Sequence, residues 1–223
     1  AIHAGPMLWI RKDWLENVGI EPKLTYTLEE IRAIADAFAD DDPDGNGVDD
    51  TIGFPVDPVL GGNENLSYSM DPIISHFGGR LKQWVQNERG EVVYGTTLPG
   101  TRDALEFLAT MYEDGLIDQD FAIRGSDERD ELISAGEAGI YYHAWFAPMG
   151  AAIQNSLSND PNADWIYAFG PVDEDGQQTA IMRAPVTHFL AISKDADVET
   201  AIDLINVSFL LEFGRIPEAS YIY

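Results

Sequence analysis

Short apolar runs alternate with amphipathic segments along the chain. Residues 7–10, 139–142, 165–169 and 189–193 are mainly apolar runs with the length of buried strands. Between them, apolar residues recur about every three or four positions, which is the spacing of one helix face. This alternation predicts an α/β domain in which a mixed or mostly parallel sheet is flanked by helices.

The clearest predicted helix begins after Thr27. Thr27 and Glu30 stand in the positions of a capping box, whose side chains bond the free backbone groups of a helix N-terminus. Thr101 is predicted to cap another helix that ends at Gly115, and a last helix is expected to start near Asp197. The first of these helices has one apolar face, made of Leu28, Ile31, Ala35 and Phe38.

Shorter elements are predicted between these helices. Residues 51–54 predict a short strand, and residues 72–77 predict a short helix that two glycines end. Residues 84–85 and 92–94 flank an Asn-Glu-Arg-Gly sequence, which is typical of a hairpin turn. These elements add a β-hairpin to the predicted α/β domain.

The composition is that of a globular and strongly acidic chain. Of 223 residues, 45% are hydrophobic, and 39 Asp and Glu against 13 Lys and Arg give a net charge of −26. Nucleic acids and anionic membranes are poor partners for such a chain, because binding phosphates requires a basic face. No apolar run approaches the roughly 18 residues of a membrane span. The absence of cysteine excludes thiol catalysis, disulfides and Cys-ligated zinc.

The sharpest local motif is an acidic loop. Oxygen-bearing side chains recur at alternate positions, Asp42, Asp44 and Asn46, and the Val48 carbonyl and Asp50 carboxylate extend the series. Ca²⁺ prefers about six to eight oxygen ligands, and this spacing folds a short loop around one ion. The motif predicts a structural Ca²⁺ site, with a solvated acidic loop as the alternative.

The acidic loop follows only the first half of an EF-hand. Its twelfth position is Gly53, where an EF-hand has a bidentate glutamate, so Asp49, Thr51 or water would complete the shell. Residues 33–79 contain many acids and no Lys or Arg, and their mutual repulsion favours a bound cation.

An aromatic cluster follows one of the predicted strands. His143, Trp145 and Phe146 are expected there, and aromatic rings offer a flat apolar surface to the C–H faces of sugars. The alternative is that Trp145 is a core residue at a strand–helix junction. Arg11 and Tyr68 are weaker ligand candidates, because an arginine in such a place more often makes an ion pair and Tyr68 lies in a predicted loop.

Several segments resemble the bacterial extracellular solute-binding proteins of ABC sugar importers. Residues 8–15, 18–20 and 26–30 are similar to the stretch by which that family enters its second lobe from the hinge. The acidic loop resembles the calcium loop of lipoprotein-type and alginate-binding members, although Thr51 stands where the alginate-binding pattern has an acidic ligand. Trp145 falls where maltose-binding protein and its relatives have a sugar-stacking tryptophan.

The resemblance implies a periplasmic-binding-protein-like lobe of type II. Residues 1–184 would form the second lobe of a two-lobe protein, and residues 185–223 would be a return strand and helix towards the first lobe, whose remainder would be absent. The family captures an oligosaccharide between its lobes and delivers it to the membrane subunits of an ABC permease. An extracellular or periplasmic location with a lipid anchor is implied as well. One lobe alone is expected to bind sugar weakly.

Two other function classes stay open on the residues alone. One is a carbohydrate-active enzyme domain, although no histidine or serine stands in a recognised catalytic motif, so a non-enzyme is expected. The other is a calcium-stabilised surface module without a small ligand.

Overall fold

A mixed sheet forms the centre of the chain. The computed structural model describes residues 5–62, 66–87, 89–179 and 191–212. Within these ranges the strands are β1 Met7–Arg11, β2 Thr25–Thr27, β3 Trp84–Gln86, β4 Val92–Tyr94, β5 Ile140–His143 and β6 Trp165–Val172. The α-helices are α1 Lys12–Asn17, α2 Leu28–Asp40, α3 Asp71–His76, α4 Pro99–Glu113, α5 Ser126–Ala135, α6 Ala151–Asn159 and α7 Val198–Glu212.

The pairing of the strands brings the carboxyl ends of β5 and β6 to one edge of the sheet. The strand order is β2-β6-β1-β5. β1 is antiparallel to both of its neighbours, with Met7 opposite His143 and Leu8 opposite Ala168, and β2 is parallel to β6. Because β5 and β6 flank β1 in the same direction, their carboxyl ends lie on either side of its first residues. The predicted mixed α/β architecture is confirmed.

Helices cover both faces of this sheet. Successive side chains of a strand point to opposite faces, so neighbouring residues of β1 enter different hydrophobic clusters. Leu8 and Ile10 of β1 enter the larger hydrophobic cluster, to which α2 contributes its apolar face. Trp9 lies on the opposite face, in a second cluster with Tyr141 and the apolar residues of α5 and α6. The sheet is therefore the middle layer of three.

The helix starts agree with the sequence in one case and differ in another. The capping box is confirmed: the Thr27 hydroxyl accepts from the Glu30 amide at 3.3 Å, and the Glu30 carboxylate accepts from the Thr27 amide at 3.0 Å. The prediction that Thr101 caps α4 is wrong, because the helix starts at Pro99, a residue favoured in a first turn. The Thr101 hydroxyl instead donates to the carbonyl of Gly95 at 2.7 Å.

The shorter elements also differ in part from the predictions. The hairpin of β3 and β4 and the helix α3 are confirmed. The strand predicted at 51–54 is reduced to isolated bridges at Ile52 and Phe54, so this segment only touches its neighbours. The sequence did not predict α1 and α6. For the strand predicted at 189–193, residues 189 and 190 lie outside the described ranges, and residues 191–193 form no strand.

The chain divides into two compact units, Ala1–Arg183 and Ala184–Tyr223. The first contains the whole mixed sheet and the hairpin, and the second contains α7, whose predicted start near Asp197 is confirmed. In the part of the chain that the structure describes, no helix combines the length and the apolarity that crossing a membrane requires.

Candidate functional site

An exposed aromatic corner stands at the carboxyl end of β5. Trp145 is 56% exposed and Phe146 is 47% exposed, although both are large apolar residues. The Phe146 ring lies 5.6 Å from the His143 ring and 5.7 Å from the Trp145 ring, nearly perpendicular to each. Ligands of α/β sheets bind outside the carboxyl ends of strands. The structure therefore brings three of the predicted ligand residues together where that rule places a site.

Small anchored residues hold the corner in place. Ala144 is buried, and its carbonyl accepts from the Trp9 indole at 3.2 Å and from the Ala147 amide at 3.1 Å. Ala147 is buried as well. The two small residues of the turn are thus buried, while the two large rings between them, Trp145 and Phe146, lie towards solvent. The core alternative for Trp145 does not fit this exposure.

His143 is held from below by a loop. Its Nε2 lies 2.7 Å from the Ser67 hydroxyl, and its ring packs edge-on to Tyr68 at 6.3 Å. Burial lowers the pKa of His143, because the charged imidazolium would lose water. The imidazole is therefore neutral at pH 7 and forms a rigid base for Phe146.

Tyr68 lies beneath the corner rather than in it. The side chain is buried, and its hydroxyl donates to the Asp130 carboxylate at 2.5 Å. Its ring stacks on Tyr141 at 5.3 Å, and the Arg129 guanidinium lies 5.4 Å from the ring centre. Burial and the Asp130 hydrogen bond raise the pKa of Tyr68. These contacts give Tyr68 a supporting position without access to a ligand.

Arg11 lies at the far end of β1 from the aromatic corner. It pairs across the sheet with Trp165, whereas Met7 pairs with His143, so about 13 Å of strand separates the two ends. The guanidinium is buried and bonds Asp13 at 2.5 Å and Asp160 at 2.6 Å. This is the ion pair that the sequence left open as the alternative, and it leaves Arg11 away from the corner.

The structure adds exposed residues that the sequence reasoning missed. Met149 is 74% exposed just after the corner, and Tyr167 and Phe169 are exposed on β6 with their rings 5.9 Å apart. A signal for the last two exists in the sequence, since Trp165, Tyr167 and Phe169 alternate as one face of a strand. Ser67 had no signal, because its contact with His143 depends on the fold.

A polar groove runs between α5 and α6, next to the supporting residues. Its volume is about 540 Å³, and Asp127, Asp130 and Glu131 line one side while Asn155 and Asn159 line the other. Asp130 connects the groove to the corner, because the same carboxylate accepts the Tyr68 hydroxyl. The groove offers carboxylate and amide groups that can accept hydrogen bonds from hydroxyl groups.

The acidic loop gathers its side chains around Asn46. The Asn46 amide nitrogen Nδ2 lies 2.8 Å from Asp44 and 3.2 Å from Asp50, and Asp42 accepts from the Asn46 and Gly47 backbone amides. Burial and the nearby Asp42 and Asp50 carboxylates raise the pKa of Asp44. The carboxylates of Asp42, Asp44 and Asp50 therefore surround one position, which the N–H donors of Asn46 and Gly47 occupy.

The donor set of this loop fits a hard cation in part. Turning the Asn46 amide by 180° would place its oxygen between Asp44 and Asp50, since the two amide atoms are of similar size. Among the described residues, no three Asp, Glu or His side chains are close enough together to hold a metal. A shell here would therefore need the Asn46 oxygen and the Val48 carbonyl as well as carboxylates.

Relatives of the chain are found among curated proteins, although no family model matches it. It is 31% identical to lipoprotein LipO of Bacillus subtilis over 94% of this chain and 40% of that protein. It is 32% identical to the polygalacturonan/rhamnogalacturonan-binding protein YtcQ of the same organism, over 72% of this chain and 33% of that protein. The fructooligosaccharide ABC transporter substrate-binding protein FusA of Streptococcus pneumoniae is 30% identical over 54% of the chain.

The chain is homologous to LipO, to YtcQ and to the ABC-transporter substrate-binding protein FusA. Two solved structures share the fold over 78% of the chain, each with a TM-score of 0.60: FusA in complex with kestose, and the alginate-binding protein AlgQ2 without calcium ion. Their identities to this chain are 23% and 20%, and it covers about a third of each. This substrate-binding-protein homologue spans well under half the length of LipO and YtcQ.

Proposed function

We propose that this chain is the second lobe of a two-lobe extracellular solute-binding protein that captures an oligosaccharide for an ABC permease. Residues 1–184 would form the lobe, and residues 185–223 would lead towards the first lobe. The single observation that carries the proposal is the exposed pair Trp145 and Phe146 at the carboxyl edge of the sheet. In a homologue of sugar-binding proteins, such an edge is a surface at which a ligand can bind and over which a second lobe can close.

The three corner residues have different roles in the proposed site. Trp145 offers its ring face to the C–H face of a sugar, and such contacts bury apolar area without a charged partner. Phe146 stands perpendicular to it and forms a wall, and His143 supports Phe146 from below. Arg11 and Tyr68 act at a distance, by fixing the sheet end and the base of the corner. The site selects a flat apolar surface bordered by hydroxyl groups.

The relatives differ in whether the sugar they are named for is charged. YtcQ is named for acidic polysaccharides, and FusA is named for a neutral fructooligosaccharide. The acid-lined groove beside Asp130 favours a ligand that donates hydroxyl hydrogens over one that brings its own carboxylates. We therefore favour a neutral oligosaccharide for this site.

Calcium is the proposed structural ion of the acidic loop. Asp42, Asp44, Asn46 and Asp50 would supply side-chain oxygens, and Val48 would supply its carbonyl. The convergence of Asp44 and Asp50 on Asn46 supports this assignment. One solved structure of FusA is that of an EF-hand mutant, and the AlgQ2 structure is without calcium ion. The ion would reduce the repulsion between the carboxylates and stiffen the end of α2.

The proposed location follows from the relatives. LipO is named a lipoprotein, and FusA is named an ABC-transporter component. We infer an extracellular or periplasmic protein, anchored to the cell membrane by lipid, whose protein partners are the permease subunits.

Thermal unfolding of the full-length protein across a panel of oligosaccharides tests this function. A ligand at a hundred times its dissociation constant stabilises the folded state by about 2.7 kcal/mol. We expect one class of neutral oligosaccharide to raise the melting temperature and the Trp145→Ala variant to lose that shift. The control is Ile123→Ala, which removes another exposed apolar side chain, elsewhere in the chain.

Either of two outcomes would contradict the proposal. One is the absence of any shift across neutral, acidic and amino oligosaccharides while the protein is folded. The other is a shift that Trp145→Ala and Ile123→Ala leave equally intact, because the corner would then not be the site.

A further inference from the structure

Asn46 is the only asparagine in the sequence that a glycine follows, and it lies in the acidic loop. Both Asn46 and Gly47 are exposed and lie outside the helices and strands. Asparagine is a thermolabile residue, and a following glycine has no side chain to keep its backbone nitrogen away from the asparagine amide. A Cβ added at Gly47 would meet no atom of a non-adjacent residue within 4 Å, so the space around this peptide is open.

The side chain of Asn46 is turned towards the backbone that follows it. Its oxygen Oδ1 accepts from the Val48 amide at 2.6 Å, so its carbon Cγ lies alongside the Gly47 peptide that separates the two residues. An N–H group that bonds a carbonyl oxygen stabilises the negative charge that develops there when a nucleophile attacks the carbon. The loop thus brings together an electrophilic carbon, a neighbouring nitrogen and a donor for the developing charge.

The nitrogen atoms on either side of this carbon are bonded only within the loop. The Gly47 amide donates to the Asp42 carboxylate at 3.0 Å rather than to a helix or sheet carbonyl. The Asn46 nitrogen Nδ2 donates to Asp44 at 2.8 Å and to Asp50 at 3.2 Å. The same side-chain nitrogen therefore supplies hydrogen bonds that hold two carboxylates together.

We propose that Asn46 is a self-modifying residue, which loses its amide nitrogen through attack by the backbone nitrogen of Gly47. A bond forms from that nitrogen to Cγ, the bond from Cγ to Nδ2 breaks, and Nδ2 leaves as ammonia with the proton that Gly47 gives up through solvent. Water then opens the cyclic imide. Opening at Cγ gives an aspartate at position 46, and opening at the backbone carbonyl gives an isoaspartate.

The product reverses the hydrogen bonding at the centre of the acidic loop. The Asn46 amide donates to Asp44 and Asp50, whereas an ionised carboxylate in its place only accepts. Three carboxylates would then meet where two now share a donor, and a divalent cation between them would offset their repulsion. Deamidation therefore makes the loop more dependent on a cation, a consequence that rests on the calcium site proposed above.

A bound ion should also slow the reaction. In the proposed calcium site, the Asn46 oxygen turns towards Asp44 and Asp50 and so leaves the Val48 amide, which then no longer stabilises charge on that oxygen. The loop without its ion is therefore the form that modifies itself.

Peptide mass spectrometry of the folded chain, incubated at neutral pH with a chelator, tests the proposal. Deamidation replaces an NH2 group with a hydroxyl and so raises the mass of the peptide that contains Asn46. We expect the deamidated fraction at Asn46 to grow with time, and more slowly when Ca²⁺ replaces the chelator. Asn162, an exposed asparagine followed by alanine, should stay at background in the same samples.

Two variants separate the reaction from its consequence. Asn46→Gln keeps an amide but moves it farther from the Gly47 nitrogen, so its peptide should not gain mass. Asn46→Asp copies one product: its melting temperature without Ca²⁺ should be lower than that of the wild type, and its Ca²⁺-induced rise should be larger. The control Asn87→Asp also replaces an amide that bonds a carboxylate, Glu91 at 2.9 Å, but on the hairpin, so its Ca²⁺-induced rise should equal that of the wild type.

Three results would overturn the proposal. The first is a deamidated fraction at Asn46 that stays at the level of Asn162. The second is an equal gain of mass in Asn46→Gln, because the reaction would then lie elsewhere in the peptide. The third is an Asn46→Asp variant that melts like the wild type both with and without Ca²⁺. If Ca²⁺ does not stabilise the wild type but Asn46 still deamidates in the chelator, the calcium site fails and the self-modification is upheld.

Discussion

At the scale of single residues, a buried polar contact fixes the exposed aromatic corner. The Tyr68 hydroxyl bonds Asp130, the Tyr68 ring supports His143, and His143 in turn supports Phe146. A buried hydroxyl without its partner costs more free energy than the bond itself contributes. The corner is thus preorganised by residues that a ligand does not touch, which reduces the ordering cost of binding.

Removing the Tyr68 hydroxyl should destabilise the chain. Tyr68→Phe loses a hydrogen bond to a carboxylate, which costs about 1.5 kcal/mol at the low end for a charged acceptor, because Asp130 keeps part of its hydration. Urea unfolding measures the change. Tyr167→Phe removes the hydroxyl of an exposed tyrosine and should change the free energy of unfolding by less than about 0.5 kcal/mol. Equal effects of the two variants would refute the role of Tyr68.

The buried imidazole should make stability depend on pH between 7 and 5. Burial lowers the pKa of His143 below the value of about 6.5 in the unfolded chain, so the unfolded state binds the proton first. The stabilisation is complete above about pH 6.5 and is lost as the pH falls through the folded pKa. Carboxylates with lowered pKa, such as Glu30 and Asp160, lose their contributions only at lower pH.

His143→Asn is the test of this pH dependence. We expect the free energy of unfolding of the wild type to fall between pH 7 and pH 5, and that of the variant to fall less over the same interval. Parallel pH profiles for the two proteins would show that the imidazole does not titrate on unfolding.

At the scale of elements, the acidic loop brings several like charges close together. It follows the end of α2, where burial together with the nearby Asp42 and Asp50 carboxylates raises the pKa of Asp44. Like charges in such proximity destabilise a compact loop, and a divalent cation reverses the sign of their contribution. The same carboxylates therefore destabilise the loop without the ion and stabilise it with the ion.

The effect of a loop substitution on the melting temperature should change sign when calcium is added. Without Ca²⁺, Asp44→Asn should leave the melting temperature unchanged or raise it, because repulsion is relieved; with Ca²⁺ it should lower the melting temperature, because a ligand is lost. The control Asp40→Asn makes the same charge change at the exposed end of α2. A Ca²⁺-induced shift that is equal in Asp44→Asn and the wild type would contradict the proposed site.

The elements differ in how far the sequence determines them. The capping box at Thr27 and the hairpin turn are local signals, and local hydrogen bonds made both predictions correct. The strand at 51–54 has the right composition, but its partners are only Ala138 and Ile117, which the fold brings near it at single points. Helix α6 has few apolar residues, so the sequence does not show which of its faces is buried. The packing of Ile153 in the second hydrophobic cluster identifies that face.

The candidate site was likewise predictable only where the signal in the sequence is local. Sequence patterns found Trp145 and Phe146, because aromatic residues after a buried strand are local information. The separation of Arg11 and Tyr68 from the corner depends on register and on the distant carboxylates Asp160 and Asp130, which no local pattern shows. Exposure, which decides whether an aromatic residue can touch a ligand, is a property of the fold.

At the scale of the whole molecule, the exposed aromatic corner belongs to a strongly acidic chain. The groove between α5 and α6 is lined by the carboxylates of Asp127, Asp130 and Glu131. A net charge of −26 discourages polyanions from the corner and keeps the molecule soluble by self-repulsion. Neutral sugars are therefore the ligands we expect at the corner.

The dissociation constant of the neutral oligosaccharide for the full-length protein, with and without Trp145→Ala, tests the central claim most directly. An aromatic residue at the centre of a site contributes about 2 kcal/mol or more, so we predict at least a roughly thirtyfold rise in the dissociation constant, with the melting temperature of the free protein nearly unchanged. A dissociation constant within about twofold of the wild type would contradict the claim that the corner at the end of β5 binds the sugar.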